Sequence, residues 1–151
     1  WSNHVSLKSG AGFTLTEILL VIAALAIIVG FSAPLYGSFQ SRSDLTTATL
    51  SAVHALRRAQ ALARGSDGDT SWGVRLATTS IILFKGADFN SRDSSFDEIF
   101  ELSPNLTVTE TNEIVFQKYS GYPPGPATTT IVSSIGETVS IHVNSKSSII
   151  Y

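Results

Sequence analysis

The spacing of apolar residues changes along this chain, and each change predicts a different element. From Ile18 to Phe31 the apolar run carries no charge. The wider stretch Phe13–Tyr36, about 24 helical residues at about 1.5 Å each, spans roughly 36 Å, enough to cross a hydrocarbon core of about 30 Å. Beyond it, Leu45, Ala48, Ala52, Leu56, Ala59 and Ala63 recur at helical spacing, interrupted by Arg42, Asp44, Arg57, Arg58 and Arg64. The small alanines let a sheet approach closely. Between the two stretches, Pro34 removes a backbone donor and biases Ala33 away from helical geometry, so a kink or local break is expected there. Arginine in the last turn and Gly65-Ser66-Asp67-Gly68-Asp69 after it predict the end of the helix.

After residue 70 the apolar positions alternate and β-branched residues dominate. Trp72–Leu76 and Ser80–Phe84 read as a hairpin across Ala77–Thr79. Gly86–Ser95 is polar and reads as an exposed loop. Phe96–Leu102, Leu106–Thr109, Glu113–Tyr119, Thr128–Ser133 and Thr138–Asn144 read as further strands, with Ser147–Tyr151 as a last, paired one. Gly121-Tyr122-Pro123-Pro124-Gly125-Pro126 is a connecting loop, because proline is excluded from a central ladder. The expected class is α+β, with a long N-terminal helix, half membrane and half amphipathic, packed on a C-terminal antiparallel sheet.

Composition narrows the function. A formal net charge of -2 gives no electrostatic case for a nucleic-acid binder, and nucleic acid is not expected as a partner. The chain has no cysteine, which excludes a disulfide framework, a zinc knuckle and a thiol nucleophile. It opens at Trp1 rather than methionine, so a longer precursor is expected. Lys8, in the short polar segment before the apolar run, places the N-terminus on the cytoplasmic side. A secretory signal peptide has the same basic-then-apolar order. Against it, no clear A-x-A site ends the run, and Ser32-Ala33-Pro34 places proline awkwardly.

Glu17 is the residue that needs a reason. An ionisable side chain at the mouth of a membrane helix is a functional-site hypothesis with a partner to be named. It can snorkel to the headgroups. Alternatively, a cut between Gly12 and Phe13 would free an α-amine on Phe13, and that amine on a neighbouring subunit could neutralise Glu17 inside a bundle of apolar helices.

Gly12-Phe13-Thr14-Leu15-Thr16-Glu17 followed by the apolar run resembles the prepilin signature of type IV pilins and type II secretion pseudopilins. The resemblance implies that a membrane aspartyl peptidase cuts after Gly12 and N-methylates Phe13, that Glu17 directs assembly, and that Pro34 occupies a position where the family often has a proline. It covers about the first quarter of the chain. Ala11 stands where many leaders have a basic residue, and Ala26 where many major pilins have glycine. The order from Ala52 to Gly86, a helix rich in alanine and arginine leading into a β-rich region, resembles the H-type minor pseudopilins and the related FimT-like minor pilins. The resemblance implies a leader at 1–12, a transmembrane and assembly helix at 13–36, an amphipathic helix at 37–64 and a β-rich head at 65–151. Its implied partners are other pilin or pseudopilin subunits, a prepilin peptidase, an inner-membrane assembly platform and, before assembly, lipid. The implied location is the inner membrane, single-pass, with the head extracytoplasmic.

No catalytic residue, cofactor or metal is expected. His4 lies in the leader, and His54 and His142 have no second ligand at metal spacing. Asp67 and Asp69 lack the remaining ligands of a calcium loop and read as a solvated turn. Arg57-Arg58 reads as a solvated helix face. Asp97 and Glu98 are adjacent on a strand and point to opposite faces, which disqualifies them as a carboxylate pair. The expected function is a structural subunit, of minor type, of a pseudopilus or pilus. The alternatives are a minor pilin whose head binds DNA or a surface, and a membrane-anchored extracytoplasmic enzyme or binding protein.

Overall fold

The computed structural model describes residues 12–109 and 112–151, with the backbone alone at 32–35. One α-helix, α1, runs Leu15–Arg64 and is followed by eight strands: β1 (Trp72–Leu76), β2 (Ser80–Lys85), β3 (Asp93–Glu101), β4 (Leu106–Val108), β5 (Asn112–Phe116), β6 (Ala127–Ser133), β7 (Thr138–Val143) and β8 (Ile149–Ile150). The chain divides into two compact units after Gly37. The leader, 1–12, lies outside the described residues except for Gly12. The helical backbone passes through position 34, so the local break allowed for there does not occur. The kink expected at Pro34 falls within 32–35, whose side chains lie outside the described residues.

In the second unit, residues of α1 from Ser38 onward pack on antiparallel sheet. The alanine-rich stripe is the reason. Leu45, Ala48, Ala52, Leu56, Ala59 and Ala63 are all buried, and the spacing of i, i+3 or i+4 keeps them on one face. The arginines border this stripe and do not break it: Arg42 pairs with Glu137 at 2.9 Å and Arg58 with Glu98 at 2.7 Å. These exposed pairs orient the helix more than they stabilise it.

The strands form two sheets where the alternation pattern suggested one. The first has the order β3-β2-β1-β5 and the second β4-β6-β7-β8, every pairing antiparallel. Inward side chains of both sheets and of α1 form a single apolar cluster that includes Leu56, Leu83, Phe116, Ile131 and Ile141. The hairpin between β1 and β2 turns where expected, with Ala77 N donating to Ser80 O at 2.8 Å. The stretch read as a loop from Gly86 to Ser95 ends earlier, because β3 begins at Asp93 and pairs with Lys85 beyond a register shift. Strand β5 stops at Phe116 and does not reach Tyr119, whose φ of 67 turns the chain back while its N–H caps the helix by donating to Ala63 O at 2.9 Å. The left-handed residue closing α1 is Ser66 (φ 51), not Gly65.

One core position is imperfect. Thr129, on β6, is 2 % exposed, and its hydroxyl has no hydrogen-bond partner among the described residues. An unmet buried hydroxyl costs about 1–3 kcal/mol. Valine has the same shape without that cost. Thr129→Val is therefore expected to stabilise the protein by about 1 kcal/mol, read as a raised urea midpoint with an unchanged slope; a lowered midpoint would mean the hydroxyl is satisfied.

Candidate functional site at the N-terminal helix end

The helix begins where its first turn can be capped. Thr14 is the last non-helical residue, and its hydroxyl accepts from the Glu17 N–H at 3.3 Å. Its carbonyl accepts from the N–H groups of Glu17 and Ile18 at 3.1 and 3.2 Å. Thr14-Leu15-Thr16-Glu17 is thus a threonine cap with an acidic residue at the third helical position, the spacing of a capping box, made here through its threonine half. The sequence reading of Glu17 missed this local role, although T-x-x-E before an apolar run is its signal. Glu17 also sits at the positive end of the helix dipole, which favours a carboxylate there.

These effects explain an acidic residue near the helix start, but they leave its charge uncompensated. Among the described residues no salt bridge reaches Glu17. Around it the surface is apolar: Phe13, Ile18, Val21 and Ile22 line a shallow hollow with it on one helix face. Phe13 is 79 % exposed, and Leu20, Val29 and Phe31 are also exposed. This stretch has a mean hydropathy of 2.7 and none of it is buried, so α1 contains a segment long and apolar enough to cross a membrane. Exposed apolar surface on this scale marks a lipid or protein contact.

Among the described residues, a Cβ built at Gly12 meets nothing within 4 Å. Packing against the described residues therefore does not account for a glycine before Phe13. The structure brings Phe13 and Glu17 to one face, with Gly12 immediately before them in the chain.

Comparison with protein-family models, curated proteins and solved structures yields no match for this chain.

The other polar residues singled out in the sequence do not converge. His54 and His142 are exposed, and His142 Nδ1 lies 2.8 Å from Thr128 Oγ1 across β6 and β7. Asp69 is held by the Tyr119 hydroxyl at 3.1 Å and by Lys118 at 3.3 Å, which together keep its carboxyl below the usual range. Asp97 pairs with Arg92 of the preceding loop, while Glu98 reaches Arg58 on α1, so the two neighbours point to different partners. Among the described residues no three histidine or carboxylate side chains come together as a metal site.

Proposed function

We propose that this chain is a structural subunit, of minor type, of a type II secretion pseudopilus or a type IV pilus. The observation that carries the reading is the junction Gly12-Phe13 set in front of an exposed apolar helix whose first turn holds Glu17 without a cationic partner among the described residues. In this reading a prepilin peptidase cuts after Gly12 and methylates Phe13. The segment 13–36 holds the subunit in the inner membrane with its head outside, and an assembly platform moves it into a fibre. There the Phe13 amine of one subunit meets Glu17 of the next. A buried carboxylate needs such a partner, because breaking a buried ion pair costs about 3–5 kcal/mol. The role is one of assembly and not of catalysis.

The test is the N-terminus of protein extracted from membranes. The mature chain is expected to begin at a methylated Phe13, read by intact mass and by the terminal peptide. Gly12→Leu is expected to leave the full-length precursor in the membrane. The described residues leave room for that side chain, so the block arises at the peptidase, which must bring backbone close at this bond. A mature chain beginning near Leu35 would show a secretory signal peptide and overturn the reading.

A further inference from the structure

We propose that β3 is a docking edge for an extended, basic segment of another polypeptide, which adds to the four-stranded sheet as a further strand. The backbone carries the first part of the argument. Strand β3 is the edge of its sheet and, at nine residues, the longest strand among the described residues. Leu102 N donates to Thr79 O at 2.9 Å, and Ile81 pairs with Phe100 and Leu83 with Glu98. In an antiparallel ladder this alternation turns the N–H and C=O groups of Phe100 and Glu98 toward β2. Those of Ile99 and Glu101 therefore point away from the sheet. Such a row is a template for one more strand.

The side chains select what that strand carries. Ile99 is 57 % and Phe100 37 % exposed, one on each face of the strand, so each face offers an apolar residue to alternate residues of the incoming chain. On the Phe100 face a hollow of about 110 Å³ opens between α1 and the end of β3, lined by Ala48, Ser51, Ile81, Phe100 and Leu102, with Asp44 at its rim. It has room for a small apolar side chain.

Charge decides between a second copy and a different partner. Strand β3 holds Asp93, Asp97, Glu98 and Glu101 and no basic residue. Asp97 and Glu98 are already matched by Arg92 and Arg58. Glu101 and Asp44, which flank the hollow, have no salt bridge among the described residues. Hydrogen bonds from Ser103 and Gln40 hold the Asp44 carboxyl below its usual range, so it is charged near neutral pH. Two β3 edges brought together would set like charges against each other, which is destabilising. A strand with lysine or arginine on it meets the opposite sign.

The experiment uses the full chain in non-ionic detergent micelles and a fluorescein-labelled hexapeptide alternating lysine and valine. Its anisotropy is expected to rise saturably with protein, above an empty-micelle control, and to fall off as salt is added. A glutamate–valine hexapeptide is expected not to bind. Ile99→Pro removes an outward N–H and leaves the ladder to β2 untouched, as proline does on an edge strand. It is expected to weaken binding about tenfold, the worth of roughly one hydrogen bond, with an unchanged thermal midpoint. Glu101→Lys changes only surface charge and is expected to weaken binding as well, which keeps the test valid if the proline variant does not fold. Absence of binding, equal binding of the acidic peptide, or Glu101→Lys binding like the wild type would overturn the proposal. So would undiminished binding by a folded Ile99→Pro protein. Dimerisation that Ile99→Pro or Glu101→Lys abolishes would show that the edge pairs with a second copy and would overturn the partner named here.

Discussion

Glu17→Gln is expected to leave the protein in the membrane and to remove it from the fibre. Glutamine keeps the shape of glutamate and serves equally at the third helical position of a capping box, so the start of α1 is undisturbed. What disappears is the charge. In the proposed fibre the carboxylate would be sealed among apolar helices with the Phe13 amine of a neighbour, which is positive near neutral pH at the ordinary α-amine value. Its loss strands that amine. Uncompensated burial of about 3–5 kcal/mol lowers incorporation on the order of a hundredfold or more. Glu17→Ala is expected to insert as well as the wild type or better, because it removes a polar group from the span. The measurement is fibre recovery or cross-linking, beside membrane fractionation and a check of cleavage. If both variants are cleaved and assembled normally, Glu17 does no more than cap the helix and reach for headgroups.

Much of this protein can be read from its pattern, and the failures share a cause. The stripe from Leu45 to Ala63 and the alternation in β1 and β2 are local signals; the structure follows the stripe throughout and the alternation except at the paired Gly73 and Phe84, which are buried as well. The division into two sheets is not local. Alternation says which face a side chain takes, but not which strand lies beside it. That β1 pairs with β5, and β4 with β6, depends on distant partners. Strand β3 shows the same limit from another side. Asp93-Ser94-Ser95 has the composition of a loop, yet at an edge the backbone pairs with β2 while the side chains stay in water. At the N-terminus the reverse holds. The resemblance at Gly12, Phe13 and Glu17 rests on the sequence alone, whereas the cap made by Thr14 is a structural feature whose only sequence signal is the T-x-x-E spacing. The hollow beside Phe100 was not legible at all, since it is formed by α1 and β3, which are far apart in sequence.

Gly73 and Phe84 are expected to fail together in a way that neither predicts alone. Gly73 lies in the middle of β1, between Phe84 on β2 and Val115 on β5. A glycine there looks like a weak point in a strand. The structure gives the reason. A Cβ at Gly73 would stand 2.4 Å from Phe84 Cζ and 3.0 Å from Val115 Cγ2, so the ring lies directly over the glycine. The ring cannot slide away easily. Phe84 is fully buried, and Phe89 meets it edge-on at 5.5 Å. Phe89 is in turn held by the Arg75 and Arg92 guanidinium groups at 4.3 and 3.7 Å, and by its N–H donating to Glu113 Oε1 at 2.8 Å. Gly73→Ala is therefore an overpacking change, expected to cost about 1–3 kcal/mol. Phe84→Ala empties the site and is expected to cost about 3–5 kcal/mol. With the ring gone, the one remaining tight neighbour is Val115 Cγ2, which need give by only a few tenths of an ångström into the space the ring leaves, and the strand gains from losing a glycine, by roughly 0.5–1 kcal/mol. The double variant is then expected to be no less stable than Phe84→Ala alone, a coupling that contact through one shared space predicts. Urea midpoints of the four proteins, full-length and in the same micelles, give the cycle. Additive costs would show that the ring and the glycine do not share that space.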